Sequence, residues 1–442
     1  MTAPIYRGKR AVVIGYGITG RAVVEFLAEK GAVVSVYDDA KGRSLPESPE
    51  GIASSFDDQF RSVVESADLV VVSPGVPRSH PVFQFAQSPI SELELAYRHS
   101  ETPMVAVTGT NGKTTVTTLI TEMLVRAGLR ARAVGNIGTS IVSMLGEKLD
   151  YFVVEASSFQ LATTESFRPK VAVWTNFTPD HLDWHQGIDH YLASKAKIFE
   201  NQQPGDAAVI NGGDLVVCGI ELRPGVRRFS FGLGAFDFGL DAQRSALTKG
   251  GEPFLLLSEM IRTLPHDLEN ALASAAAAFS AGAGLAEIAA VLKEFGGLPH
   301  RVEFLGMLDG VSFYNDSKAT TPASVIAGVR GFESVVLIAG GKNKGLDLSP
   351  LVTLAPKLRA VVAIGQSSDE LAALFTKGSS VPVVKASSMT EAVNSARQLA
   401  VKGDVVLLSP GCTSYDWYSS YEQRGDDFRA VLETMRSVRG GP

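Results

Sequence analysis

The stretch MVAVTGTNGKTTVTT, Met104 to Thr118, decides the architecture. A short apolar strand runs into a Gly-rich turn and then a helix, with Lys113 and Thr114 at the helix start. Successive backbone N–H groups of such a turn, with the positive end of the helix dipole, can wrap polyphosphate oxygens; the lysine adds a point charge and the threonine hydroxyl can ligate Mg²⁺. The usual phosphate-loop spacing puts a glycine five residues before Gly112, where this chain has Val107. The turn therefore reads as a shortened variant closed by Gly109 and Gly112, the site of a nucleoside triphosphate.

Outward from that turn, 442 residues predict about three domains, each long enough to bury its own core. A chain with 45% hydrophobic and 20% charged residues falls in the globular class, and its apolar runs are too short to span a bilayer, so membrane insertion is not expected. MTAPIYRGKR leads into a strand without an apolar signal region, which predicts a cytoplasmic location. Cys218 and Cys412 make no disulfide framework and have no CxxC partner, so both read as reduced and incidental. A net charge of −6 without a long basic run argues against a nucleic-acid groove.

Strand-like runs alternate with helical patterns, the mark of α/β architecture with mostly parallel sheets. The fold expected is a Rossmann-like N-terminal domain over residues 1–97, a central P-loop ATPase-type α/β domain over 98–298, and a C-terminal Rossmann-like α/β domain over 299–442. Strands are predicted at Ala11–Gly15, Val33–Tyr37 and Asp68–Val72, then Tyr151–Glu155 and Val171–Trp174, then near Val311–Tyr314, Val335–Ala339, Ala360–Ile364 and Val405–Leu408. Helices are predicted around Ile188–Glu200 and from Asn270 to Gly282, and the Gly- and Phe-rich Cys218–Leu257 as a small antiparallel insertion.

GYGITG, Gly15 to Gly20, follows a strand and precedes a helix, and Asp38 ends the next strand. That is the dinucleotide fingerprint, and NAD is one reading. The same turn binds any diphosphate, because its glycines and helix N-terminus recognise charge and close approach. Ser73-Pro74-Gly75 sits at a neighbouring strand end, either a ligand contact or a plain tight turn. In the second block Glu155 ends an apolar strand and His181 follows another, so a carboxylate and an imidazole could hold a divalent metal beside the γ-phosphate. Lys195 in YLASKAKIFE reads, by periodicity alone, as a solvated helix face.

Thr108–Thr114, Gly135-Asn136-Ile137-Gly138, Glu155–Gln160, Asp180-His181-Leu182-Asp183, His300-Arg301 and Asn315-Asp316-Ser317-Lys318 together resemble the ATP-dependent Mur ligases, across all three blocks. The segment from Leu408 to Gly425 resembles the branch of that family that adds D-glutamate. The resemblance implies ATP at Gly109, Thr110, Asn111, Gly112, Lys113, Thr114, Thr115, Asn270, Arg301, Asp316 and Lys318. It implies UDP-N-acetylmuramoyl-L-alanine at Gly17, Ile18, Thr19, Asp38, Ser73, Pro74, Gly75, Asn136, Ser157 and Gln160. D-glutamate would meet Thr320, Lys344, Ser414 and Tyr421. Two Mg²⁺ sites would draw on Thr114, Glu155, His181 and Lys195, the last as a carbamylated lysine, with Lys113, His181, Lys195 and Arg301 as the catalytic set. A monomer is expected. Asp267, Lys342 and Tyr421 stand where relatives often carry Asn, Asp and Phe.

Rival readings have their own discriminators. An NAD-dependent oxidoreductase explains GYGITG and Asp38 but leaves the Thr108–Thr114 turn without a purpose. A non-catalytic nucleotide sensor has no use for Lys113, Glu155, His181 and Lys195 together. Among sister ligases, folylpolyglutamate synthases usually lack the domain of about one hundred residues before the phosphate loop, by resemblance to that family. The diaminopimelate-adding enzymes carry an Asp-Asn-Pro-Arg signature that is absent here.

Overall fold

Parallel strands covered by helices on both faces must be apolar nearly throughout, and the sequence obeys this rule. Met104–Thr108 is buried at every position. The computed structural model describes residues 6–38, 52–53, 58–181 and 184–439. Leu182 and Asp183 of the Asp180–Asp183 motif lie outside the described residues. Among those described, no helix is long and apolar enough to cross a membrane.

Three sheets form. The first, wholly parallel, runs Ile52–Ala53, Val33–Tyr37, Arg10–Ile14, Leu69–Val72, Ile90–Ser91. Its chain order reverses at Arg10–Ile14, and the turns after that strand and after Leu69–Val72 leave side by side, where open α/β sheets bind ligands. The second sheet has nine strands, with Met104–Thr108 between Tyr151–Glu155 and Val171–Trp174. Val107 pairs with Glu155 and Thr108 with Trp174, so both neighbours end level with the phosphate turn. The third has six strands, all parallel except the edge Glu303–Leu308, which pairs antiparallel with Val311–Asn315. Asp309 and Gly310 join those two through a tight turn at φ 51° and 77°, the left-handed pair that Asp-Gly favours.

Two expectations need correction. Cys218–Leu257 does contain an antiparallel meander, Phe238–Asp241, Ala246–Lys249 and Glu252–Leu256. Arg227–Phe231, however, pairs parallel with Ala207–Asn211, so the segment widens the central sheet and is no separate insertion. The reason is the open edge of Ala207–Asn211, whose backbone groups need partners. The Ala-rich helix begins at Pro265, ahead of Asn270, and ends at Ser280; proline suits a first turn that has no N–H bond to lose.

The chain divides into two compact units, Met1–Ile261 with Glu269–Glu294, and Arg262–Leu268 with Phe295–Pro442. The first holds both the N-terminal and the nine-stranded sheet. Trp184 Nε1 donates to the Val76 carbonyl at 2.8 Å, and the Trp184 ring meets Phe83 edge-on, tying the two sheets together.

Candidate active site

Val107 explains the shortened turn: it is still inside the strand, so the chain leaves the sheet later than the usual spacing allows. Gly109 then takes φ 151° and Gly112 takes φ 83°. A Cβ on Gly109 would lie 1.9 Å from Thr175 Oγ1, and one on Gly112 would lie 2.4 Å from Asn270 Oδ1. Neither position has room for a side chain. The turn is braced from the next strand: Thr175 Oγ1 donates to the Asn111 carbonyl at 2.6 Å, and Asn111 N–H donates to Asn176 Oδ1 at 2.9 Å. Thr110 Oγ1 donates to the Thr178 carbonyl at 3.0 Å. Helix Lys113–Arg126 starts at once, with Thr114 and Thr115 half-buried in its first turn.

Lys113 Nζ donates to the carbonyls of Gly109 and Thr110 at 2.9 and 3.0 Å. Lys195 Nζ donates to that same Gly109 carbonyl at 2.7 Å. The helix Ile188–Glu200 thus presents Lys195 inward, 1% exposed, and the solvated-face reading is overturned. Its amine sits 4.7 Å from the centre of the Tyr191 ring. Burial, then the neighbouring Lys113 charge, push the Lys195 pKa well below the ordinary lysine value, with Asp180 pulling the other way.

Glu155 is 3% exposed. Its Oε1 accepts from Asn136 Nδ2 at 2.9 Å, whereas Oε2 is buried without a hydrogen-bond partner. An orphaned carboxylate oxygen costs about 1–3 kcal/mol, a charged one more, and fits a hard cation. Among the described residues no group of three or more His, Cys, Asp and Glu converges as a metal site. A divalent ion beside Glu155 would draw further ligands from Thr114, His181, phosphate oxygens or water. His181 is held at φ 54°, with its ring edge-on to Phe159 and Tyr191 at 4.8 and 6.3 Å between centres.

The residues expected at the UDP-linked substrate lie on two sheet edges. Gly17, Ile18, Thr19, Asp38, Ser73, Pro74 and Gly75 surround the first sheet's crossing point. There Asp38 Oδ2 accepts from Tyr16 N–H at 2.6 Å, and Ser73 Oγ donates to the Gly15 carbonyl at 3.0 Å. Gly20 lies so close that a Cβ would come 1.9 Å from the Gly15 oxygen, and Ile18 is 79% exposed. Asn136, Ser157 and Gln160 are on the central sheet. Ser157 and Gln160 bind each other as a capping box for the short helix Ser158–Ala162, and Asn136 binds Glu155.

In the second unit, Asp316, Lys318, Thr320, Lys344 and Ser414 follow the carboxyl ends of parallel strands, Arg301 precedes the edge strand Glu303–Leu308, and Tyr421 opens the helix Tyr421–Arg439. Asp316 is buried, accepting from Val302 N–H at 3.2 Å and Ser409 Oγ at 2.7 Å. Burial pushes its carboxyl up to about 7 against those bonds. Lys318 Nζ stands 4.8 Å from the centre of the Tyr421 ring. Ser414 is buried; Lys344 is exposed, 5.6 Å from the Tyr415 ring. Lys342 is exposed and bonds through its backbone to Thr413, while Asp267 pairs with Arg262.

Sequence reasoning missed three features. Arg424 is 1% exposed, donating to Ser317 Oγ, the Ser317 carbonyl and the Cys412 carbonyl; burial lowers its pKa to about 10. His185 binds Ser158 Oγ at 2.9 Å and His190 Nδ1 at 3.0 Å, and burial holds it neutral, with a pKa near 3. Trp184 bridges the sheets. The three histidines spaced along His181–His190 were a visible signal; the burial of Arg424 was not.

Three family models match in chain order: the Mur ligase MurD-like N-terminal domain over residues 9–92, the Mur ligase middle domain over 107–278, and the Mur ligase glutamate ligase domain over 300–412. The UDP-N-acetylmuramoylalanine–D-glutamate ligase of Pelotomaculum thermopropionicum is 40% identical over 460 residues, covering 97% of this chain and 98% of that protein. The enzyme of the same name from Shouchella clausii is 39% identical over 440 residues, covering 97% of each. The structure of a MurF ligase from Thermotoga maritima in complex with ADP shares the fold, with a TM-score of 0.61 at 16% identity, covering 98% of this chain and 97% of that one. With three consecutive domain matches and relatives aligned almost end to end, the chain belongs to the Mur ligase family.

Proposed function

We propose that this chain is the ATP-dependent ligase that joins D-glutamate to UDP-N-acetylmuramoyl-L-alanine in peptidoglycan precursor synthesis. The alanyl carboxylate attacks the γ-phosphorus and ADP leaves; the neutral amine of D-glutamate attacks the acyl phosphate carbonyl, loses its proton, and phosphate departs. Both partners of the first step are anionic, so cations must screen them. The observation that carries this reading is the convergence of Lys113 and Lys195 on the Gly109 carbonyl, in the same sheet as a buried Glu155 with one unpartnered oxygen.

Within it, the phosphate turn and Lys113 hold the triphosphate, Asn270 closes over Gly112, and the Gly15–Gly20 edge takes the uridine diphosphate in residues 1–97. Residues 98–298 carry ATP. Residues 299–442 supply Arg301, Asp316 and Lys318 toward nucleotide and Thr320, Lys344, Ser414 and Tyr421 toward D-glutamate. Mg²⁺ at two sites would offset phosphate charge, with Thr114, Glu155 and His181 as ligands. Lys195 completes the set as a carbamate: forming it requires a neutral amine, which a buried lysine beside Lys113 provides.

Phosphate release with ATP, Mg²⁺ and UDP-N-acetylmuramoyl-L-alanine is expected with D-glutamate and not with L-glutamate or L-lysine, because the reversed stereocentre cannot seat amine and carboxylates at once. Equal turnover with L-glutamate sinks the assignment. Lys195→Ala is expected to be nearly inactive, with small carboxylic acids restoring part of the rate; wild-type turnover in that variant removes Lys195 from the metal site.

A further inference from the structure

In the second unit, the turn that carries Arg301 is held in an unusual conformation. His300 and Val302, on either side, have φ of 61° and 43°, left-handed values that a β-branched valine takes only when its surroundings impose them. Two bonds grip Val302: its N–H donates to Asp316 Oδ1 at 3.2 Å, and its carbonyl accepts from Arg262 Nη1 at 3.1 Å. Arg262 is fixed in turn. Its Nε donates to Asp267 Oδ1 at 2.9 Å, the two side chains being 11% and 9% exposed. The guanidinium lies so close to Gly297, at φ 101°, that a Cβ there would come 2.7 Å from Nη1. One planar fork thus spans a carboxylate and a carbonyl, which a lysine cannot do with the same geometry.

We propose that Arg262 is a positioning residue for Arg301: braced by Asp267 and seated on Gly297, its guanidinium sets the turn that aims Arg301, without itself touching substrate. The proposal rests on the ligase reading, in which Arg301 screens the transferring phosphoryl group. It also gives Asp267 a role: its carboxylate offers the largely buried guanidinium a charged partner.

The test is a double-mutant cycle on Arg262→Ala and Arg301→Ala, with circular dichroism to confirm folding. Arg262→Ala is expected to lower kcat/KM for ATP about tenfold, and to add less than about twofold in the Arg301→Ala background. The KM for UDP-N-acetylmuramoyl-L-alanine stays unchanged. Multiplying effects in the double variant, or a lowered Tm with wild-type kcat/KM, overturns the proposal. Arg262→Lys, which keeps the charge but not the fork, carries the cycle if Arg262→Ala does not fold. The same cycle read as calorimetric affinity for a non-hydrolysable ATP analogue is independent of the acceptor. Coupling there without D-glutamate turnover removes the ligase reading and keeps Arg262; additivity with full D-glutamate turnover does the reverse.

Discussion

Two Gly-rich turns in the first unit, Gly15–Gly20 and Gly109–Gly112, follow the same plan: a parallel strand, glycines in left-handed or crowded positions, then a helix N-terminus. Their side chains differ. The first has a carboxylate on its backbone, Asp38 on Tyr16 N–H, and no lysine hydrogen-bonded to its carbonyls among the described residues. The second has two lysines on one carbonyl and a buried carboxylate one strand away. The backbone device suits a phosphate in either case. In the proposed function, what would turn a binding turn into a reacting one is charge from the turn's own helix and from other elements, placed to stabilise a transferring phosphoryl group.

The sharpest break of that comparison is Lys113→Ala. It is expected to cut turnover by about 10³-fold or more while leaving affinity for UDP-N-acetylmuramoyl-L-alanine nearly intact, because the charge acts only at the second turn. Steady-state kinetics with calorimetry of the UDP-substrate checks it, and loss of that affinity in a folded variant would merge the two sites. Next in size is Gly109→Ala, where left-handed φ and the 1.9 Å approach to Thr175 Oγ1 should weaken ATP binding about a hundredfold. Asp38→Asn keeps an acceptor for Tyr16 N–H but loses the charge-assisted bond, so UDP-substrate affinity should fall about tenfold with the KM for ATP unmoved. Smallest is Gly17→Ala: φ is −74° with nothing near a Cβ, so folding stability should change by less than about 0.5 kcal/mol in a melting experiment. A large loss there would mean that the first turn is as tightly built as the second.

The strands of the parallel cores were legible because burial on both faces demands unbroken apolar runs. Val33–Tyr37, Tyr151–Glu155 and Val171–Trp174 stand where their composition puts them, as does the helix Ile188–Glu200. The edge strand Glu303–Leu308 escaped notice because its residues alternate weakly, although the Asp309-Gly310 turn beside it was a readable signal. Arg227–Phe231 escaped for a different reason: its sheet is decided by a long-range edge at Ala207–Asn211 that no local pattern reveals.

The sequence by itself determined the phosphate turn, the order of the three α/β blocks and the family, since glycine spacing, apolar periodicity and motif order are local properties of the chain. Tertiary structure alone decided the charges. Lys195 reads as solvated by its helix pattern and is buried because the phosphate turn lies against that helix face. Glu155 has one satisfied oxygen only because Asn136 arrives from the neighbouring strand end. Arg262 finds Val302 across 40 residues of chain. Protonation and hydrogen bonding depend on desolvation and on neighbours distant in sequence, and both exist only once the sheets have closed over them.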